Sequence, residues 1–185
     1  MKLFGSFTSP FARHCRIVLL ETGQACDFVE TDYAASAEAS PAKKVPFLED
    51  GELFLSDSAA IIRYLREKAG EPFCADILEY NQFCLINTAL DAAINGFILQ
   101  QAGISAEQLP YLQRQRDRVA AILASLEAQS LPEHAPYNDA QLRLACLLEW
   151  GQLRQVVDLA ACPKLRAFWQ SSRQYGPLAD TLPPQ

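Results

Sequence analysis

Three short stretches in the first sixty residues carry side chains and backbone groups that could do chemistry on a small peptide thiol. They are Ser9-Pro10, Val45-Pro46 and Asp57-Ser58. Ser9-Pro10 opens a run with helical spacing. A helix N-terminus offers free N–H groups and a partial positive charge that stabilise a bound anion or thiolate. A hydroxyl there could donate to a ligand sulfur, lower its pKa and keep it nucleophilic. The same dipeptide equally describes an N-cap followed by proline at the first helical position. Val45-Pro46 precedes a strand. Proline cannot donate to a sheet ladder, and a cis bond there would turn the Val45 N–H and C=O toward a ligand backbone pairing as an added strand; a trans proline on an edge strand is the other reading. Asp57-Ser58 opens a second helix, where Ser56 or Asp57 could simply cap. It could also hold a zwitterionic amino-acid head, with Asp57 accepting from the ammonium and Ser58 and the first helical N–H groups meeting the carboxylate. Lys43 and Lys44 could receive a second carboxylate, or stand as two solvated cations.

The elements that would position these groups fall into two regimes. Up to about residue 72, strand-like and helical patterns alternate. Lys2 to Phe7 reads as a strand. Phe11, Cys15, Val18 and Leu19 recur at helical spacing opposite Arg13 and Arg16, with Gly23 as the stop signal. Cys26 to Thr31 reads as a second strand, which predicts a right-handed parallel crossover. A short helix is expected within Ala34 to Lys43. Val45 to Leu48 and Glu52 to Leu55 flank Asp50-Gly51, a hairpin turn signal. Asp57 to Ala69 is amphipathic, with Ile61, Ile62 and Leu65 on one face. From Ala75 onward the pattern is helical only, through Ile77–Gln101, Ala106–Gln129, Ala140–Val157 and Lys164–Gln174. Asn138 with Gln141 forms a capping-box pattern. Gly103, Pro132, Pro136, Pro163 and Gly176-Pro177 supply the breaks. The expected organisation is a small α/β domain over residues 1–73, a linker at about 74–76 and an all-α domain over 77–185.

Composition narrows the function. Half of the 185 residues are hydrophobic and 21% are charged, as in ordinary globular proteins. A net charge of −6 argues against a phosphate-tracking surface, so no nucleic-acid partner is expected. The apolar stretches read as too short and interrupted to span a bilayer, and MKLFGSFTSP reads as a first strand rather than a signal peptide; a cytoplasmic location is expected. The six cysteines form no C-x-x-C pair, so most are expected as reduced core residues. Neither they nor the two histidines, His14 and His134, suggest a metal site.

The order and spacing of these motifs resemble the cytosolic glutathione S-transferase superfamily over nearly the whole chain. The carriers are S-P-F-A-R at Ser9 to Arg13, K-V-P-F-L at Lys44 to Leu48, D-S-A-A-I at Asp57 to Ile61 and the N-D-A-Q-L cap region. The resemblance implies a thioredoxin-like α/β N-terminal domain followed by an all-α helical C-terminal domain. It implies that Ser9 stabilises the glutathione thiolate, that Val45 beside a cis Pro46 pairs with the cysteinyl backbone, that Asp57 and Ser58 hold the γ-glutamyl head, and that Lys44 reaches the glycine carboxylate. Glutathione would be a co-substrate, with no metal. A small hydrophobic electrophile would lie near Phe11, Phe97 and Tyr111, and the protein would be a homodimer.

Departures from the family pattern refine the activity. S-P-F-A-R looks like the C-P-F-A-x-R of omega-type members with serine in place of the cysteine nucleophile, which disfavours mixed-disulfide chemistry and a thiol reductase. No tyrosine occurs in the first strand or the turn after it. The leading expectation is thus a serine-type bacterial transferase that joins glutathione to an electrophile. The alternative is a non-catalytic binding or regulatory protein of the stringent-starvation type.

Overall fold

The computed structural model describes Met1 to Pro184. The chain folds as two compact units. One is formed by Met1–Ala75 together with the segment from Gln174 on, the other by Asp76–Arg173.

In the first unit, strand β1 (Lys2–Gly5) leads into helix α1 (Pro10–Thr22), strand β2 (Asp27–Glu30) and the short helix α2 (Tyr33–Ala39). Strands β3 (Phe47–Asp50) and β4 (Leu53–Leu55) follow, then helix α3 (Ser58–Lys68). The sheet order is β2-β1-β3-β4, with β1 and β2 parallel and both β3 pairings antiparallel. The parallel β1–β2 pair agrees with the crossover expected from the strand–helix–strand pattern, and the whole is the thioredoxin-like arrangement that the resemblance implies. Gly23 stops α1 in the left-handed conformation, as its position signalled. Gly5 is required where β1 approaches α1, because a Cβ there would stand 2.8 Å from Ala12 Cβ. The hairpin differs from expectation by one residue. Asp50 pairs with Leu53, so Gly51 (φ +62°) and Glu52 form the turn rather than Asp50 and Gly51.

Leu3, Ile17, Val18, Phe47, Leu48, Ile61, Ile62 and Leu65 form the core of this unit. Arg13 does not face solvent as the helical pattern suggested. It is buried: its Nη2 donates to the Leu178 carbonyl at 2.8 Å and its Nε to Thr181 Oγ1 at 3.3 Å. Arg16 is half-buried, its guanidinium 4.8 Å from the Phe7 ring centre and 5.1 Å from that of Phe28. Burial, and then the charge of Arg13, lower the Arg16 pKa. The expected domain over 77–185 therefore differs from the compact units at its end. A short helix α8 (Gly176–Ala179), where only a break was expected, packs against α1, and Arg13 binds Leu178 and Thr181.

The second unit contains α4 (Ile77–Gln101), α5 (Pro110–Glu127), α6 (Asp139–Leu153) and α7 (Pro163–Ser172). Both halves of the Asn138–Gln141 capping box are present at the start of α6. Glu127, at the end of α5, accepts from the Lys164 and Leu165 N–H groups at 2.9 Å each and so caps α7 from a neighbouring helix. Contrary to the expectation that no segment could span a bilayer, α4 is long and apolar enough to do so by length and composition. Its Asn, Gln and Thr residues break the apolar run without adding charge. In the structure Phe83, Ile86, Ala89, Leu90 and Ala93 form its buried side, and it packs on α5 and α6. None of the six cysteines is in a disulfide; Cys15, Cys146 and Cys162 are buried, but Cys26 and Cys74 are half-exposed and Cys84 is exposed. The expectation that most are core residues therefore holds for only half of them.

Candidate functional site

Antiparallel pairing of β1 with β3 opposes Phe4 to Phe47, so the end of β1 lies beside the start of β3. The two rings stack with centres 4.5 Å apart. The loop running from β1 to Ser9 and the Val45-Pro46 dipeptide therefore share one end of the sheet. The third stretch is tied to α1: the Cys15 thiol, almost two helical turns beyond Ser9, donates to the Ser58 carbonyl at 3.9 Å. The β1–β3 register, the Cys15–Ser58 contact and a Lys44–Asp57 ion pair bring all three stretches together at one end of the sheet.

Ser9 is the N-cap of α1, its Oγ accepting from the Ala12 N–H at 3.2 Å. As an acceptor, the oxygen serves the helix. Its O–H remains available to donate, with no acceptor among the described residues. The capping and the chemical roles are therefore compatible, because they use opposite sides of the hydroxyl. Upstream, the Ser6 and Thr8 hydroxyls bond to each other at 3.1 Å.

The Val45-Pro46 bond is cis. Pro46, one residue short of the β3 ladder, is buried, and Val45 before it is half-exposed. Among the described residues the Val45 N–H and C=O have no hydrogen-bond partner, leaving a free peptide edge.

Asp57 caps α3 through Oδ1, which accepts from the Ala59 N–H at 2.9 Å. Its Oδ2 meets Lys44 Nζ at 3.4 Å, in a pair whose side chains are 55% and 56% exposed. Lys44 and Asp57, read from the sequence as holding opposite ends of a ligand, are thus partners of each other. Ser58 is buried, which limits what it can present. Lys43 holds a left-handed backbone (φ 51°) and is exposed.

The residues suggested for a second pocket lie on three different helices. Phe97, on α4, lines a cleft inside the helical unit; its ring meets the Trp150 ring edge-on at 5.7 Å and lies under the Arg154 guanidinium at 5.4 Å. Tyr111 is exposed at the start of α5 and does not line that cleft. Phe11 is half-buried on α1 in the other unit. Sequence reasoning missed Gln115, a buried polar side chain in the cleft. Its signal was present: it occupies an apolar-stripe position between Leu112 and Val119.

Known proteins share this fold and sequence pattern. Residues 3–73 match the family model described as glutathione S-transferase, N-terminal domain. The chain is 33% identical over 171 residues, 84% of each chain, to the uncharacterised GST-like protein YibF of Escherichia coli (strain K12). A glutathione transferase family member from Pseudomonas fluorescens Pf-5, solved with bound S-(propanoic acid)-glutathione, superposes with a TM-score of 0.84 at 27% identity, over 99% of both chains. A glutathione S-transferase of Methylobacterium radiotolerans, solved with glutathione sulfonate, gives a TM-score of 0.85 at 22% identity, over 100% of this chain and 95% of that one, a likeness of fold. Sheet order, cis Val45-Pro46, the capped motifs and the YibF match agree, and the chain belongs to the glutathione S-transferase superfamily.

Proposed function

We propose that this protein is a glutathione transferase that joins the glutathione thiolate to a small hydrophobic electrophile. The observation that carries the reading is the free Val45 peptide edge beside cis Pro46, at the same end of the sheet as the Ser9 hydroxyl. An extended peptide pairing there through its main chain directs its cysteine side chain toward the start of α1. Two relatives of the same fold were solved with glutathione derivatives, which supports glutathione as that peptide.

The chemistry asked of the protein is modest. Ser9 O–H donates to the sulfur and the α1 N-terminus adds a partial positive charge, so the thiol releases its proton to water nearer neutral pH. The thiolate then attacks the electrophilic carbon, forming a C–S bond as the leaving group departs or the π-bond accepts the electron pair. Asp57 turns from Lys44 to the ligand ammonium, and Lys44 turns to the glycine carboxylate. Family membership also supports a homodimer, tested by sedimentation.

The test measures glutathione affinity by calorimetry and the rate with 1-chloro-2,4-dinitrobenzene, for wild type and Ser9→Ala. Retained binding with a rate about 100-fold lower is expected, the typical effect of deleting one donor to a developing anion. Unchanged turnover would move catalysis away from Ser9. Absence of binding in the wild type would overturn the reading in favour of a non-catalytic binding protein.

A further inference from the structure

Strand β2 is the last strand of the sheet, so one of its sides has no neighbouring strand among the described residues. The Asp27 and Thr31 N–H groups donate toward β1, to the Met1 carbonyl at 3.1 Å and the Gly5 carbonyl at 2.9 Å. Peptide groups alternate sides along a strand, so the N–H and C=O of Phe28 and of Glu30 point outward along the open edge. Register then assigns the faces. Phe28 stands opposite Leu3 and Glu30 opposite Gly5, and a Cβ on Gly5 would meet both Ala12 of α1 and the Phe28 ring. Phe28 and Glu30 therefore lie on the face that carries α1, and Asp27 and Val29 on the other.

Arg16 occupies the same face. Its guanidinium stands 4.8 Å from the Phe7 ring centre and 5.1 Å from that of Phe28, and the two rings are 4.7 Å apart. It forms no hydrogen bond or ion pair with the described residues, and of its nitrogens only Nη1 is buried. Burial and the charge of Arg13 lower its pKa, and no carboxylate offsets them. A half-buried cation without a counter-charge is unfavourable, and a carboxylate brought to the edge would relieve it.

We propose that two copies of this chain pair antiparallel through their β2 edges, the Glu30 side chain of each copy meeting Arg16 of the other. The register follows from the outward peptide groups. A two-fold axis at Val29 sets Phe28 opposite the partner's Glu30, and each such pair exchanges two hydrogen bonds. Opposite residues share a face, so the partner's Glu30 lies on the α1 face, about 5 Å from Phe28 between Cβ atoms, beside Arg16. Asp27 falls opposite the partner's Thr31, and no like charges oppose each other. An axis at Phe28 would instead set Glu30 opposite the partner's Cys26, and an axis at Glu30 would oppose two carboxylates. Four residues a side make a small contact, so the association is weak and grows with concentration.

The test uses the full chain with Cys26→Ser, Cys74→Ser and Cys84→Ser, which removes the three thiols that are not buried. Val29→Cys is added to it. At the axis the two Cα atoms would be about 4.5 Å apart, within disulfide reach. Diamide oxidises the paired thiols, and a non-reducing gel reads the covalent dimer. A homodimer formed through another surface leaves this readout unchanged. Val29→Cys is expected to crosslink about tenfold faster than Tyr33→Cys, an exposed position beyond the strand. Adding Arg16→Glu slows the reaction about tenfold, and Arg16→Glu with Glu30→Arg restores it. If Arg16→Glu does not fold, Glu30→Lys opposes two cations and brings the same loss. Equal rates for the two cysteine positions, an undiminished rate in the folded charge variant, or a folded double variant without recovery would each overturn the proposal.

Discussion

Arg13 and Leu178 are 165 residues apart, yet the guanidinium of one donates to the carbonyl of the other at 2.8 Å. The bond turns the first helix into a clasp for the closing segment, and Thr181 adds a second point of attachment to the same side chain. Arg13→Ala removes both bonds and leaves the Leu178 carbonyl buried without that donor. The expected loss is about 2–3 kcal/mol in urea unfolding, the range for hydrogen bonds to charged groups. A loss under about 0.5 kcal/mol would show that the clasp does not bear on stability.

Tyr175 supplies an independent anchor, its hydroxyl donating to Glu21 Oε1 at 2.8 Å. Arg66 joins the same group, reaching Glu21 at 2.6 Å and Glu71 at 2.8 Å. Burial, and then the bond to Glu21, push the Tyr175 pKa up to about 12. The folded value lies above the unfolded one, so the contribution is complete below the ordinary tyrosine value of about 10 and lost as pH rises toward about 12. Wild type should therefore lose more stability than Tyr175→Phe between those pH values, measured as a difference in urea midpoints. Parallel curves for the two proteins would refute the assignment.

Ser9 allows its two roles to be pulled apart. Ser9→Ala removes cap and donor together, so a stability loss of about 1 kcal/mol should accompany the fall in rate. Ser9→Asp restores a capping acceptor while placing a carboxylate against the thiolate. It should recover most of the lost stability and still fail in turnover. If Ser9→Asp turned over like wild type, the hydroxyl would not be the thiolate donor.

The Lys44–Asp57 pair predicts a split between folding and binding. Exposed pairs of this kind contribute little to stability. Asp57→Asn keeps a capping side chain for α3 and should change stability by less than about 0.5 kcal/mol. It should weaken glutathione binding by about tenfold, as expected when a ligand ammonium loses a charged partner. An unchanged dissociation constant would place the ammonium elsewhere.

How much of this was legible depended on the range of the determining interaction. The caps at Ser9, Asp57 and Asn138, the stop at Gly23 and the whole of α4 are set within a few residues, and each stood where local chemistry indicated. The three N-terminal stretches were readable for the same reason. Arg13 was read as a surface residue because nothing near it signals that Leu178 and Thr181 will surround it. The hairpin slipped by one position because Asp-Gly is a common signal at the turn centre, whereas the β3–β4 ladder here continues through Asp50. The Lys44–Asp57 pairing depends on where a loop meets a helix start, 13 residues further on. Gln115 had a local signal, a polar residue within an apolar stripe, but nothing in that pattern named its partner, Arg118.

The clasp between Arg13 and the segment around Thr181 has a consequence for how the chain is made. The α/β unit borrows part of its structure from residues synthesised more than a hundred positions later. During synthesis, β1, α1 and the sheet emerge first, yet a guanidinium destined for the interior has no partner until residues 175–181 leave the ribosome. The helical bundle between them can complete itself earlier. The unit begun first is therefore the one finished last.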